Sequence, residues 1–505
     1  MSSIRDITTG LVAGLLLAGS LFAELAVDPI YQSRMVLQQG QPVPICGTCT
    51  DAAPIQVSFA GQKVTAQVKG NTWTAVLAPM AVRAEGSALT VRQGSESVTL
   101  DDVVVGEVWL ASGQSNMFWR LEETRDRASL QSPENPNLRF CHEEPLIHTR
   151  PPVYTEKERE MLKAGKMYQR GVWTVSNPAS CRKMSAVGWY FGRALQKHLG
   201  VPVGIIHVSL GGSEMLAWMP QQVLEKKYPE VLTDEWMNDK NVDPYWVRAR
   251  ALKNLGNDLT TPHPYSPGYL FRTGITPWLK YPVAGVIWYQ GESDAPIEDQ
   301  ERNRQVLSDL ITGWRSAFGK PQLPFCMVQL PRIKDLTHER VLWPEFREVQ
   351  SRVSRELPNV LCAVTIDLGT TNRDVHPPRK LEVGERMAAL AAAKVYGVKG
   401  ISYSGPVFSR AAVNGGKVKV SFAYAEGLKT TNGAAPACFE LSEDGKTYHP
   451  AEAELAKNAV LLRSAAVKTP RYVRYAWSTF VEPNLVNGAG LPTAPFASPI
   501  PGAAK

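Results

Sequence analysis

The 505-residue chain predicts an α/β core with a parallel sheet, flanked by an N-terminal and a C-terminal β region. Three observations carry that expectation. Continuous apolar runs at residues 103–110, 203–210, 283–289 and 360–366 read as strands buried on both faces, as in a parallel sheet covered by helices. Helical patterns lie between and after them, at 185–199 before Gly200, at 300–317 before Gly319, and at about 380–396 after Pro377-Pro378. Outside this alternation the chain breaks into short segments with period-two patterning, separated by Gly, Pro and Asn.

Taken in order, residues 1–23 hold Arg5 and then an apolar run at 11–23 with small residues near its end. That is the pattern of a signal peptide, and it is too short to span a bilayer. The expectation is export, giving a secreted or periplasmic protein with no membrane span. Residues 24–102 read as a small β domain, with strands such as 55–59 and 73–77. Residues 103–400 carry the α/β core, interrupted by a charged insertion at 143–170. A second insertion at 225–257 contains Trp236 and Trp246 and reads as a lid or a sugar-facing wall. From 401 to 505 β-type segments return, for example at 418–422 and 472–476, before a Gly/Pro-rich tail. No internal repeat is visible, and the oligomeric state cannot be read.

Composition excludes several classes. The net charge is +7, with Lys and Arg scattered among 48 acidic residues, and nucleic-acid binding would need a dense basic stripe. No HExxH spacing occurs, and Cys46-Gly-Thr-Cys49 has no second Cys/His pair, so no metal site is predicted. Neither a Walker loop nor a GxGxxG fingerprint is present, so no cofactor is implied. Seven cysteines leave at least one unpaired.

The chemistry concentrates in Gly106-Glu-Val-Trp-Leu-Ala-Ser-Gly-Gln-Ser-Asn-Met117. Ser115 follows a buried strand and sits in a tight turn, where a hydroxyl can be exposed beside backbone N–H groups. The spacing differs from the Gly-x-Ser-x-Gly elbow, and a lone serine in a turn is usually only a turn residue. Its candidate partners end the other apolar runs: Gly211-Gly212-Ser213, Gln290-Gly-Glu-Ser-Asp294, and the loop Asp374-Val-His376-Pro377. Reactive groups in such sheets gather beyond the carboxyl ends of the strands. Among the 8 histidines, His376 alone falls in a loop after a sheet strand and before a helix. His198 ends a helix, His207 lies inside an apolar strand as a core residue, and His142, His148 and His263 fall in polar insertions. His338 sits in a charged loop and His449 in the C-terminal region. Asp374, two residues before His376, would share its side of an extended segment. Glu292 is a second carboxylate that could orient the same imidazole.

These blocks together resemble the SGNH-type esterases, and more closely the sialate O-acetylesterase family of carbohydrate acetylesterases. The resemblance is carried further by Ser33-Arg-Met-Val-Leu-Gln-Gln39, Pro42-Val-Pro-Ile-Cys-Gly47, Trp218, Lys380, Val383-Gly-Glu-Arg386, Val473-Arg-Tyr-Ala-Trp477 and Gly490-Leu-Pro492. It implies a three-layer SGNH-like core, with Ser115 as nucleophile and His376 as general base. The N–H groups of Ser115 and Gly212 and the side-chain amide of Gln290 would be the oxyanion donors. SGNH enzymes place an aspartate three residues before the histidine, a position held here by Arg373; Asp374 and Glu292 both stay open as the third member. The implied substrate is an O-acetylated sugar, sialic acid first, with Arg182, Arg272 or Arg347 as partners for its carboxylate. An acetyl xylan or general carbohydrate acetylesterase is the nearby alternative, and a non-catalytic carbohydrate-binding protein the distant one. Trp109 and Trp288 lie within strands and read as core.

Overall fold

The computed structural model describes residues 25–50, 53–150, 153–233, 236, 245–256, 258, 260–335 and 340–501. The expected leader at 1–23 and His338 lie outside the described residues. At the centre runs one long strand, β1 (Glu96–Gly113). Its second half joins β2 (Asn135–His142), β3 (Thr174–Ser176), β4 (Val203–Ser209), β5 (Gly285–Tyr289), β6 (Phe325–Val328) and β7 (Val360–Ala363). The sheet order is β3-β2-β4-β1-β5-β6-β7. All neighbours are parallel except the edge strand β3. Every residue of β4, β5 and β6 is buried, which is why these segments read as unbroken apolar runs.

Helices cover both faces. On one lie α2 (Ala186–Leu199) and α5 (Lys380–Lys394), whose Val187, Phe191, Val383 and Met387 close over Trp109, Ile205 and Ile287. The other face carries α3 (Gln300–Ala317) and α4 (Trp343–Glu356), with Trp314, Ile311 and Val349 against Trp288, Val286 and Phe325. The ends of α2 follow its sequence signals: Ser185 Oγ accepts from the Gly188 N–H at 3.1 Å, and Gly200 takes the left-handed conformation.

The first half of β1 pairs antiparallel with Arg83–Gln93, which in turn pairs with Ile55–Phe59. The division expected between 102 and 103 therefore falls inside a single strand, and the N-terminal β region continues the core sheet. His142, expected in a polar insertion, ends β2 inside the sheet. The 143–170 insertion holds a helix at Glu156–Lys163, and the 225–257 insertion one at Tyr245–Leu255. C-terminal to α5, two four-stranded antiparallel sheets close on Val420, Phe439, Tyr475 and Phe496. No bridge links the seven cysteines, and among the described residues no helix is long and apolar enough to cross a membrane.

Strand register determines where the chemistry emerges. Ser209 and Tyr289 both pair with Gly113, so β4, β1 and β5 end at one level. The chain order also diverges on either side of β1, which makes its carboxyl end the switch point where ligands bind in open α/β sheets.

Candidate active site

Gly113 ends β1 with φ +136°, and a Cβ there would lie 2.1 Å from the Tyr289 carbonyl oxygen, so only glycine allows this approach to β5. The next residue, Gln114, donates its backbone N–H to that carbonyl at 3.0 Å. Ser115 then opens the short helix α1 (Ser115–Phe118), half-buried, with Asn116 and Met117 buried behind it. The turn after β4 is tied to the same strand end, Leu210 donating to the Gly113 carbonyl at 3.2 Å. Gly212 has φ +77°, and a Cβ on it would meet Tyr265 Oη at 2.3 Å. Tyr265 Oη donates to the Gly211 carbonyl at 2.9 Å and so holds the turn from outside. Among the described residues, the backbone N–H groups of Ser115 and Gly212 have no hydrogen-bond partner.

The loop after β7 brings the imidazole to this spot. His376 Nε2 lies 2.8 Å from Ser115 Oγ, across 261 positions of sequence. On the far side of the ring, Nδ1 is 2.8 Å from Asp374 Oδ1, which also accepts the His376 backbone N–H at 2.9 Å. A carboxylate can only accept, so Nδ1 carries the proton and Nε2 presents a lone pair to the Ser115 hydroxyl. Thr370 Oγ1 and Asn372 Oδ1 tie down the Asp374 backbone at 2.6 and 3.0 Å. The Trp119 ring stacks on the imidazole at 5.0 Å and 20°. Burial lowers the His376 pKa from its ordinary value, against the hydrogen bond and charge of Asp374, which raise it.

Of the two carboxylates left open by the sequence, Glu292 makes no direct contact with His376 among the described residues. Its Oε1 accepts from Asn116 Nδ2, and its buried Oε2 has no partner among the described residues. The same Asn116 amide donates to the Val375 carbonyl at 2.9 Å, while Asn116 Oδ1 accepts from Lys380 Nζ. Burial raises the Glu292 carboxyl and pulls Lys380 down to about 7. Glu292 thus connects to the histidine loop through Asn116 and the Val375 carbonyl, while Asp374 makes the direct contact with the imidazole.

Gln290 also departs from expectation. Its side-chain N–H₂ donates to the Asp294 carboxylate and, at 3.4 Å, to the Ser213 carbonyl, so it is not aimed at Ser115. The physical reason is the need of a buried carboxylate for donors: burial pushes Asp294 up to about 7, and the Gln290 amide and the Met215 N–H oppose it. Gln114 performs an unexpected task, its Oε1 accepting from the N–H groups of Gly291 and Ser293, both at 3.3 Å.

The three arginines considered for a sugar carboxylate lie elsewhere in the fold. Arg347 is buried and donates to the carbonyls of Leu330, Pro331, Ser478 and Thr479; Arg272 sits over Tyr269; Arg182 is exposed on a short 3-10 turn. Trp109, Trp218, Trp288 and Tyr289 are all core residues. From the second insertion, Trp246 comes within 3.2 Å of the position a Gly212 Cβ would take, so this residue packs beside the glycine turn. Asn116, Trp119, Lys380 and Tyr265 are the site residues that sequence reasoning left without roles. Asn116 adjoins Ser115 in the same motif, a signal that was available; Trp119 and Tyr265 gave none.

A second polar chain runs beneath α1. Ser209 Oγ is 2.6 Å from His207 Nε2, His207 Nδ1 is 2.7 Å from His142 Nδ1, and His142 Nε2 is 2.6 Å from Glu144 Oε2. Arg120 closes it with a 3.0 Å ion pair to Glu144. With His207 neutral and accepting from the Ser209 hydroxyl at Nε2, its Nδ1–H is directed to His142. Burial pushes His207 well below its ordinary pKa, which keeps that ring neutral. No group of three or more His, Cys, Asp or Glu among the described residues is arranged to hold a metal ion.

Comparison with known proteins shows which family the chain resembles. The family model for carbohydrate esterase, sialic acid-specific acetylesterase, matches residues 274–393, a span that includes Glu292, Asp374 and His376. Mouse sialate O-acetylesterase is 26% identical over 502 residues, covering 88% of each chain, and the human protein is 28% identical over 79% of this chain and 78% of its own. A crystal structure of a carbohydrate acetylesterase from Xanthomonas citri is 31% identical, covers 94% of this chain and 99% of that one, and superposes with a TM-score of 0.77. Likeness of that degree over essentially the whole of both molecules, joined to the matching family model, makes this chain a carboxylic ester hydrolase that belongs to the sialic acid-specific acetylesterase family of carbohydrate esterases.

Proposed function

We propose that this enzyme, exported by a leader at residues 1–23, removes O-acetyl groups from sialic acids on an SGNH-type core, through an acetyl-Ser115 intermediate. The observation that carries the mechanism is the Ser115–His376–Asp374 hydrogen-bond chain at 2.8 and 2.8 Å. His376 Nε2 takes the Ser115 proton as Oγ attacks the acetyl carbonyl, and returns it to the departing sugar oxygen. Water then enters and gives its proton to the same nitrogen as its oxygen attacks the acetyl carbon; the bond to Oγ breaks, acetate leaves, and the proton returns to Ser115 Oγ. Asp374 holds the tautomer and stabilises the imidazolium. The tetrahedral oxyanion forms against the free N–H groups of Ser115 and Gly212, each such donor being worth about 3 kcal/mol. Gln290 takes no part as a donor in this scheme. Glu292, Asn116 and Lys380 act as positioning residues that join the nucleophile turn to the histidine loop.

The sialic acid assignment leans on the family model and on the mammalian relatives; the bacterial relative favours a broader carbohydrate acetylesterase. Acetate release by the purified protein from 9-O-acetylated sialic acid and from acetylated xylan separates the two. Faster turnover of the sialic acid is expected, and a preference for xylan overturns the narrower assignment. Failure to hydrolyse p-nitrophenyl acetate, with no labelling of Ser115 by a phosphonate, would leave a non-catalytic carbohydrate-binding protein.

A further inference from the structure

A cavity of about 430 Å³ lies where the segment after α5 meets the C-terminal β region, between residues 401–404 and the turns at 424–427 and 487–489. Its volume falls in the range of small-ligand sites. Tyr403 and Tyr424 meet in it edge to face, with ring centres 5.5 Å apart at 66°. Tyr424 is 48% exposed, the one aromatic among the large hydrophobic side chains left open to solvent in the described residues. Its backbone is also left-handed, at φ +54°. That conformation costs a residue with a Cβ about 1–2 kcal/mol.

The surroundings hold this arrangement in place. Asn487, itself buried, donates to the Ser404 carbonyl at 2.9 Å and the Tyr424 carbonyl at 3.2 Å, and accepts from Leu491 N–H at 3.1 Å. Gly488 N–H donates to the Glu426 carbonyl at 2.8 Å, closing one turn on the other. Lys394 Nζ sits 4.7 Å from the Tyr403 ring centre and 6.0 Å from that of Tyr424, so a cation anchors both rings. On the rim, the exposed Glu426 carboxylate has no partner among the described residues. An open aromatic face, an acceptor pair suited to adjacent hydroxyls, and a fixed polar floor are complementary to a sugar ring. The free carboxylate opposes an anionic one.

We propose that this cleft is a second carbohydrate-binding site, which takes a neutral pyranose unit of a glycan on the Tyr424 ring with its hydroxyls on Glu426. The helix α5 separates it from the esterase centre: Lys380 at one end touches Asn116, Lys394 at the other touches Tyr403, and a helix of that length spans about 21 Å. A free acetylated monosaccharide cannot occupy both places, whereas an acetylated glycan chain can be tethered by one and deacetylated at the other. The binding claim stands without the esterase assignment; its effect on turnover rests on that assignment.

Two measurements test it. Xylohexaose and a desialylated N-glycan are titrated against the full-length Ser115→Ala protein, followed by calorimetry and ligand-observed NMR. Saturable binding of at least one is expected, weakened about tenfold by Tyr424→Asn, which tolerates the left-handed backbone, and by Glu426→Gln, but retained in Tyr424→Trp. In the active enzyme, Tyr424→Asn is expected to raise KM for an acetylated glycan about tenfold while leaving kcat and p-nitrophenyl acetate hydrolysis unchanged. Absence of saturable binding to both probes, or binding that Tyr424→Asn or Glu426→Gln leaves unchanged, overturns the site. A wild-type protein that binds glycan but hydrolyses no ester refutes the esterase assignment and spares the cleft.

Discussion

Two chains of serine, histidine and carboxylate lie within this molecule, and only one of them can meet a substrate. Ser115–His376–Asp374 stands at the rim, its nucleophile half-buried and its carboxylate half exposed. Ser209–His207–His142–Glu144 has hydrogen bonds just as short, yet Ser209 and His207 are wholly buried within β4. Hydrogen-bond geometry therefore does not distinguish a catalyst from a structural chain. What distinguishes them is access for a carbonyl carbon and unpaired N–H donors beside the hydroxyl, and both belong to Ser115 alone of the two. The buried chain instead gives each polar atom of a sheet histidine a partner, as a low-dielectric interior requires.

Substitutions break or sharpen the contrast. Ser115→Ala should lower kcat for p-nitrophenyl acetate by about 10⁴-fold or more, with Ser209→Ala within about threefold of wild type; the reverse ranking would transfer the reaction to the buried chain. Asp374→Asn comes next, at about 10⁴-fold in kcat, while Glu292→Gln, which contacts Asn116 and not the imidazole, should cost only about tenfold. Equal effects of the two would reopen the identity of the third member. His142→Phe leaves the His207 N–H unpaired, and urea unfolding should show a loss of about 1–3 kcal/mol with kcat changed less than about threefold. The smallest effect is on pH. Burial disfavours the imidazolium of His376, so it stays a base below the ordinary value of about 6.5, and kcat/KM falls only as pH drops through the lowered pKa. Asp374→Asn removes an anion that favours the imidazolium, so the residual acid limb should move to still lower pH; a shift upward contradicts the contact.

Much of the core was legible because each signal was local. The apolar runs became β4 and β5 with every residue buried, and the Ser185 and Gly200 signals bound α2 as expected. The Gly113 turn likewise owes its form to neighbours in sequence and to one close approach by β5. Side-chain roles were harder. Gln290 and Glu292 lie two residues apart in one motif, which offers Gln290 as an oxyanion donor and leaves Glu292 open beside Asp374, but their side-chain partners are Asp294 and Asn116. Nothing local tells a buried amide which carboxylate it will meet. His142 was placed in an insertion because its polar neighbours conceal the end of a strand, and its pairing with His207 spans 65 positions.

By itself, the sequence determined the alternation of buried strands and covering helices, the turns at the strand ends, and which few residues were chemically able to act. Those features follow from periodicity, from caps and from backbone freedom, all set within a turn or two of chain. The tertiary structure alone decided which serine is reachable, which acid touches the imidazole, and that β1 runs unbroken from the N-terminal region into the core. These depend on strand register and on groups 176 and 261 positions apart, and contacts at such separations are fixed only when the sheet closes and the cost of burying each charge is settled by what lies beside it.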